Sequence, residues 1–436
     1  MLLRHGQVFA EGWWHPYSAD RPHLLYSLSK SFASTAIGML VDEGRLSADD
    51  RVASIFPDDM PADASENVRA MRVRDLLTMT AGHAADDMSE LYGRADGNWP
   101  RGFLARPVPY APGTHFLYNT SATYMCSAIL TRITGESMFA YLAPRLFDPL
   151  GIEGASWETC PDGCSIGGTG LSVKTEDIAK FGQLYLRKGV WNGRRLISEA
   201  WIEQATSAQV SNGDDPNNDW NQGYGFQFWR CRHDAYRGDG AFGQFCIVVP
   251  SADMVIAMTS SVDDMGAVMQ AVWDYLRFAP APSPLLEDAS GCAALRSRLA
   301  GLSLPGPIGE PTSPTAQRVA GCAFVNENAK GPHRSLTFDF EPDGGCEMTF
   351  ERTNGKQMVR SGGIEWDIHK NPEGRDVAMR GAWSDPTTYT ISMKCLDGPE
   401  GRSFTCRFEG DRVECRETKR GYFGPSEGRS FDGKMA

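Results

Sequence analysis

The apolar positions along this chain change their period more than once. Between residues 27 and 43, Phe32, Ala36, Ile37 and Leu40 recur at helical spacing, and Gly44 stands where a helix-capping glycine belongs. That pattern predicts a helix. Similar stripes predict helices near 73–79, 121–134, 136–146, 175–188 and 198–206, and a closing helix at 264–278. Other segments read as strands. Residues 1–15 form a short hairpin turning at Gly6-Gln7. AFGQFCIVV at 241–249 and MVIAMT at 254–259 read as neighbouring buried strands joined by the turn PSAD. Helices and strands are mixed with no regular βαβ rhythm, so the fold class expected is α+β.

Beyond residue 278 the pattern changes. PAPSP and LPGPIGEPTSP flank one short helix near 285–300, which predicts a Pro-rich linker over 281–315. From 316 to 436 short stretches alternate: SLTFDF, CEMTFER, KQMVRSG, EWDIHK, TTYTISMKC, SFTCRFEG and RVECRE. Turns such as PDGG, TNGK and EGDR separate them. This predicts a C-terminal antiparallel β domain, a small barrel or sandwich. The expected division is 1–280, 281–315 and 316–436.

Composition narrows the function classes. With 43 basic and 55 acidic residues the net charge is −12, and there is no basic run. A nucleic-acid partner is therefore not expected. The 11 cysteines are odd in number and scattered, which suits free thiols in a reducing compartment. Cys160 and Cys164 lie close in CPDGC, but no Cys/His pair has zinc spacing, so no metal is expected. No apolar run approaches the roughly 18 residues of a membrane helix. The first residues lack the apolar core of a signal peptide. The expectation is a cytoplasmic protein without a membrane partner, or an exported one should a segment precede Met1.

The candidate chemistry starts at Ser27-Leu28-Ser29-Lys30, which fits S-x-x-K. Three residues apart on a helix, the Ser and Lys side chains share a face. The Ser stands at the helix N-terminus, where unpaired backbone N–H groups can donate to an oxyanion. A Lys whose pKa is lowered by burial can take the hydroxyl proton. The plain alternative is an N-cap serine and a solvated lysine, since about one such tetrapeptide arises by chance in a chain of this length. His83, closing TMTAGH, reads as a loop hydrogen-bonding residue. Trp13 and Trp14 read as cover for the sheet.

The surroundings of the motif, LLYSLSKSFASTAIGMLVDEGRLSADD, resemble the first long helix of the serine β-lactamase and penicillin-binding protein superfamily, and most of all its class C-like serine hydrolases. VRDLLTMTAGH (73–83), PGTHFLYNTSATYMCSAILTRITGES (112–137), GGTGLSVKTEDIAKFGQLYLRKGVWNGRRLIS (167–198), YGFQFW (224–229) and YRGDGAFGQFCIVVP (236–250) follow in the family's order. The resemblance implies an antiparallel sheet flanked by helices beside a helical lobe. It also implies a nucleophile Ser27, proton transfer through Lys30 and Tyr118, and oxyanion donors at the N–H groups of Ser27 and Ala241. No cofactor is implied.

Two positions depart from the family pattern. The second motif reads Tyr118-Asn119-Thr120 rather than Tyr-x-Asn, so either Asn119 or Thr120 addresses the substrate. The third reads Gly238-Asp239-Gly240 where Lys-Thr-Gly or His-x-Gly is usual. A cation that would bind a substrate carboxylate is thus missing, and Asp239 either favours a cationic substrate group or caps a turn. Arg237 could compensate, but strand alternation turns it to the other face. Gly240 suits close backbone approach. The expected function is an acyl-enzyme serine hydrolase for small ester or amide substrates, including short peptide-like ones. D-amino-acid peptidase or carboxypeptidase, β-lactamase, and a non-hydrolytic binding protein on the same fold are the alternatives. Oligomeric state is not legible.

Overall fold

The computed structural model describes residues 1–86, 88–276, 287–327, 333–421 and 424–436. The chain forms two compact units. One comprises Met1–Glu11 with Pro22–Ala289, and the other Gly12–Arg21 with Ser290–Ala436.

The first unit is built on an antiparallel sheet. Its strands are β1 (Leu2–Arg4), β2 (Gln7–Ala10), β3 (Trp229–Arg230), β4 (Tyr236–Gly240), β5 (Gln244–Val249) and β6 (Met254–Met258), in the order β2-β1-β6-β5-β4-β3. The N-terminal hairpin forms, with its turn at His5-Gly6, one residue earlier than expected. Both have positive φ (52° and 74°), as the tight two-residue turn requires. β5 and β6 pair in register from Phe245↔Met258 to Val249↔Met254 and are buried throughout, apart from the half-buried Met258. Apolar side chains on both faces explain why these strands read as continuous hydrophobic runs.

Three helices organise the rest of the unit: α1 (Ser29–Asp42), α2 (Thr120–Thr134) and α3 (Thr175–Leu186). α1 is buried from Ser29 to Leu40, and Gly44 ends it with φ 69°. A helix buried all round explains its mixed Ser/Ala/Phe surface, because small residues let neighbours approach. α3 lies on the sheet at Gly182, where an added Cβ would stand 2.6 Å from Val255 Cγ1. Phe181 of α3 stacks on Phe32 of α1 with centroids 3.9 Å apart, which joins helix, helix and sheet in one core.

In the second unit the expected linker is partly structured. Residues 277–286 lie outside the described residues, and a helix occupies Ala289–Ala300. Trp14 is exposed, and the segment around it, Gly12–Arg21, belongs to this second unit. The β domain is one antiparallel sheet. Its strands are β7 (Ala323–Asn326), β8 (His333–Phe340), β9 (Cys346–Arg352), β10 (Gly355–Ser361), β11 (Asp367–Lys370), β12 (Asp376–Asp385), β13 (Thr388–Cys395), β14 (Gly401–Glu409), β15 (Arg412–Gly421) and β16 (Gly424–Met435). They follow the order β10-β9-β8-β7-β16-β15-β14-β13-β12-β11. A bridge between Gly362 and Arg380 brings the two ends of the sheet together. Of the two forms expected, the domain is therefore a nearly closed barrel, which removes most of the exposed strand edge.

Candidate active site

Ser27 lies in a 3-10 turn, Tyr26–Leu28, that leads directly into α1. Tyr26 has φ 48°, a conformation that costs a non-glycine residue free energy and recurs at functional sites. Its ring packs edge-on against Phe242 at 5.4 Å, and Phe242 (φ 66°) follows Ala241 in the turn after β4. The turn that carries Ser27 and the turn that carries Ala241 are thus clasped together. The first N–H groups of a helical turn have no partner inside it, so the Ser27 N–H suits an oxyanion.

Lys30 sits one turn on and is only 1% exposed. Its Nζ lies 3.0 Å from Ser27 Oγ, 2.8 Å from Gly168 O and 3.4 Å from Thr120 Oγ1. Three oxygens surround the nitrogen, yet burial outweighs them and lowers its pKa to about 7, with the charges of Asp86 and Asp239 pulling the other way. In the neutral form the amine donates to Gly168 O and Thr120 Oγ1 and accepts from the Ser27 hydroxyl, which points its lone pair at that hydroxyl.

Tyr118 brings its ring centroid to 4.8 Å from Lys30 Nζ. The ring is stacked on Trp229 at 5.2 Å and stands perpendicular to Tyr224 at 6.2 Å. This aromatic wall holds one ring orientation at the lysine. Residues 119 and 120 then divide their tasks. Asn119 Oδ1 accepts from the N–H and the hydroxyl of Ser121, so Asn119 is the N-cap of α2 and is buried. Thr120 is the residue whose hydroxyl reaches Lys30. The backbone of Gly167-Gly168 runs against α2, where a Cβ on Gly168 would stand 2.7 Å from Thr120 Cγ2. That close approach is what lets Gly168 O reach the lysine.

At the third position, β4 alternates as expected. Gly238 and Gly240 face the start of α1. An added Cβ on Gly238 would collide with Ser31 Oγ and stand 2.5 Å from Leu28 Cδ1, and one on Gly240 would collide with the backbone oxygen of Leu25. The usual cationic side chain is therefore sterically barred. We expect Gly240→Ala to cost roughly 3 kcal/mol or more, because backbone cannot yield, and Gly238→Ala less, because side chains can. Urea denaturation midpoints of the two variants test this ranking.

Arg237 and Asp239 share the opposite face. The Arg237 Nε donates to Asp239 Oδ2 at 3.0 Å, and Nη1 donates to Asp219 O at 2.8 Å. The guanidinium also lies over the Trp220 ring at 4.3 Å. Both side chains are buried. Arg237 is thus committed to Asp239 and does not replace the missing cation, and Asp239 does not cap a turn. Removing one member of a buried ion pair strands the other, so Asp239→Asn is expected to lower stability by about 3–5 kcal/mol, read as a fall in the denaturation midpoint.

Two further groups carry no sequence signal. Asp86 is exposed, accepts from the Thr120 N–H at 3.1 Å, and is the first of the two charges acting on Lys30. Gln227, at φ 65°, donates to Leu76 O and Leu77 O, accepts from Thr123 Oγ1, and offers its own carbonyl to Ser31 Oγ. Its side-chain amide ties α2 to the 73–77 helix, and its backbone carbonyl holds α1 at Ser31. His83 is buried against Phe103, with ring centroids 4.5 Å apart.

Comparison with known proteins agrees with this architecture. The family described as Beta-lactamase matches residues 1–280. A 6-aminohexanoate-dimer hydrolase of Paenarthrobacter ureafaciens is 25% identical over 61% of this chain and 72% of its own. Penicillin-binding protein 4 of Amycolatopsis lactamdurans is 25% identical over 70% of this chain and 84% of its own. Among solved structures, the octameric penicillin-binding protein homologue from Pyrococcus abyssi is 14% identical and has a TM-score of 0.50. It covers 99% of this chain and 94% of that one, a likeness of fold. With 280 of its residues matched and a hydrolase-type sheet and helices around them, the chain belongs to the beta-lactamase family of hydrolases.

Proposed function

We propose that the protein is a serine hydrolase that cleaves small esters or amides through an acyl-enzyme. The observation that carries this reading is the buried Lys30 Nζ, 3.0 Å from Ser27 Oγ and with its pKa lowered to about 7. In this reading the neutral amine takes the Ser27 proton as Oγ bonds to the substrate carbonyl carbon. The N–H groups of Ser27 and Ala241 hold the oxyanion. Lys30 and Tyr118 return the proton to the departing alcohol or amine as its bond to carbon breaks. Water then adds to the ester carbon, its proton passes back by the same groups, and Ser27 is released.

Substrate charge follows from what surrounds the lysine. Gly238 offers no cation, and Arg237 is spent on Asp239. Asp86 leaves a carboxylate exposed beside Thr120. Among the described residues a substrate carboxylate therefore meets no partner of the kind that third-motif cations supply, which favours an esterase or amidase over a carboxypeptidase or β-lactamase. The polar group offered to the substrate at the second motif is Thr120, since Asn119 Oδ1 caps α2. The test is a panel of a short-chain aryl ester, a D-aminoacyl amide and a cephalosporin. Neutral or amine-bearing substrates should exceed the cephalosporin in kcat/KM by about 100-fold or more, the value of a lost charge-assisted pair. Equal or faster cephalosporin turnover would overturn the assignment.

A further inference from the structure

The interior of the C-terminal barrel changes character along its length. On β9 the inward positions read Cys346, Met348, Phe350, then Arg352; on β14 they read Phe408, Cys406, Phe404, then Arg402. The first positions of each series are core residues, packed with Phe338, Val413 and Phe431. The last are charged. At that end the sheet borders an open cleft, whose empty space together with the solvent at its mouth is about 530 Å³. Phe350, Val359, Phe404 and Phe431 form its apolar floor, and Arg352 and Arg402 stand at its rim.

The two arginines are not equivalent. Arg402 Nη1 donates to Glu417 Oε1 at 3.0 Å, which neutralises the acidic residue that also lines the cleft. Arg352 has a buried Nε with no hydrogen-bond partner among the described residues, and no carboxylate pairs with its guanidinium there. A guanidinium half sunk in an apolar barrel mouth, facing a cleft, costs free energy unless an anion completes it. The floor below it requires that the anion carry an apolar body. Small β-barrels can hold one small ligand inside, and barrel mouths are a recurrent place for such sites.

We propose that the C-terminal barrel binds a monocarboxylate with an apolar tail, its carboxylate on Arg352 and its tail against Phe350 and Phe404. The site is lined wholly by residues of the second unit, and the proposal does not depend on the activity proposed at Ser27. Carboxylic acids are nevertheless what an ester or amide hydrolase releases, so the ligand class matches the product class of that reaction.

The experiment is calorimetric titration of the full chain with octanoate, acetate and 1-octanol, with Ser27 first capped by a fluorophosphonate. Octanoate should bind one per chain. Acetate, lacking the tail, and octanol, lacking the charge, should each bind at least about tenfold more weakly. Arg352→Gln should weaken octanoate by about tenfold or more and Arg352→Lys should recover part of that loss, both with unchanged thermal stability. Gln357→Trp, which fills the mouth without removing the guanidinium, should also abolish binding. Octanoate binding equal in Arg352→Gln and wild type would overturn the proposal. So would binding that survives Gln357→Trp, binding that requires an uncapped Ser27, or no binding up to about 10 mM.

Discussion

Ser27→Ala is expected to lower kcat/KM toward an activated ester by roughly 1,000-fold or more and to abolish the single fluorophosphonate adduct expected by intact mass in the wild type. The size follows from the mechanism. Without the hydroxyl there is no acyl-enzyme, and only the oxyanion donors and substrate binding remain. The variant should fold normally, because the Ser27 side chain is half-buried and its described contact is with Lys30 Nζ. Peptide mapping should locate the wild-type adduct on the peptide containing Ser27. A folded wild-type protein that takes no adduct, or an adduct that persists in Ser27→Ala, would defeat the acyl-enzyme reading and move the assignment toward a binding protein on a hydrolase fold.

Lys30→Met should be as damaging to turnover and should raise stability. Turnover should fall by about 1,000-fold or more, because a serine hydroxyl without a base is a poor nucleophile at neutral pH. In the wild type, activity should rise with pH through about 7 as the amine loses its proton. Stability runs as follows. The folded pKa of about 7 lies below the ordinary 10.5. Below pH 7 both folded and unfolded chains carry the proton, so the folded state bears the full cost of burying an ammonium. Between the two values the unfolded chain binds a proton that the folded chain does not, and wild-type stability rises with pH. The gain from Lys30→Met is therefore largest at pH 6 and fades toward pH 10. It is on the order of 1–3 kcal/mol, after subtracting the hydrogen bond lost at Gly168 O. Denaturation midpoints at pH 6 and pH 9 measure it. A variant less stable than wild type at pH 6 would mean that Lys30 is held there as a favourable cation, not as a base. Such a gain would be a direct measure of the stability that the site gives up for its chemistry.

Much of this was legible in the chain because it is local. S-x-x-K ahead of a helical apolar stripe places Ser27 and Lys30 on one turn whatever else the molecule does, since i,i+3 geometry belongs to the helix itself. Alternation along YRGDG likewise separates Gly238 and Gly240 from Arg237 and Asp239 before any partner is known. Most strands of the C-terminal domain were visible for the same reason. Two were not. DVAMRGAWSD, which forms β12, is buried at Val377, Ala378 and Met379 in succession, so it shows no alternation. GPSEGRSFDGKM, which forms β16, is polar and glycine-rich and is a strand because β15 and β7 pair with it. Tertiary structure alone decided that Thr120 rather than Asn119 reaches Lys30, that Arg237 is anchored on the Asp219 carbonyl, and that a carbonyl at Gly168 and a carboxylate at Asp86 surround the lysine. These are contacts between residues up to 138 positions apart. Only packing brings such residues together, and the burial that packing creates is what turns an ordinary lysine into a candidate base.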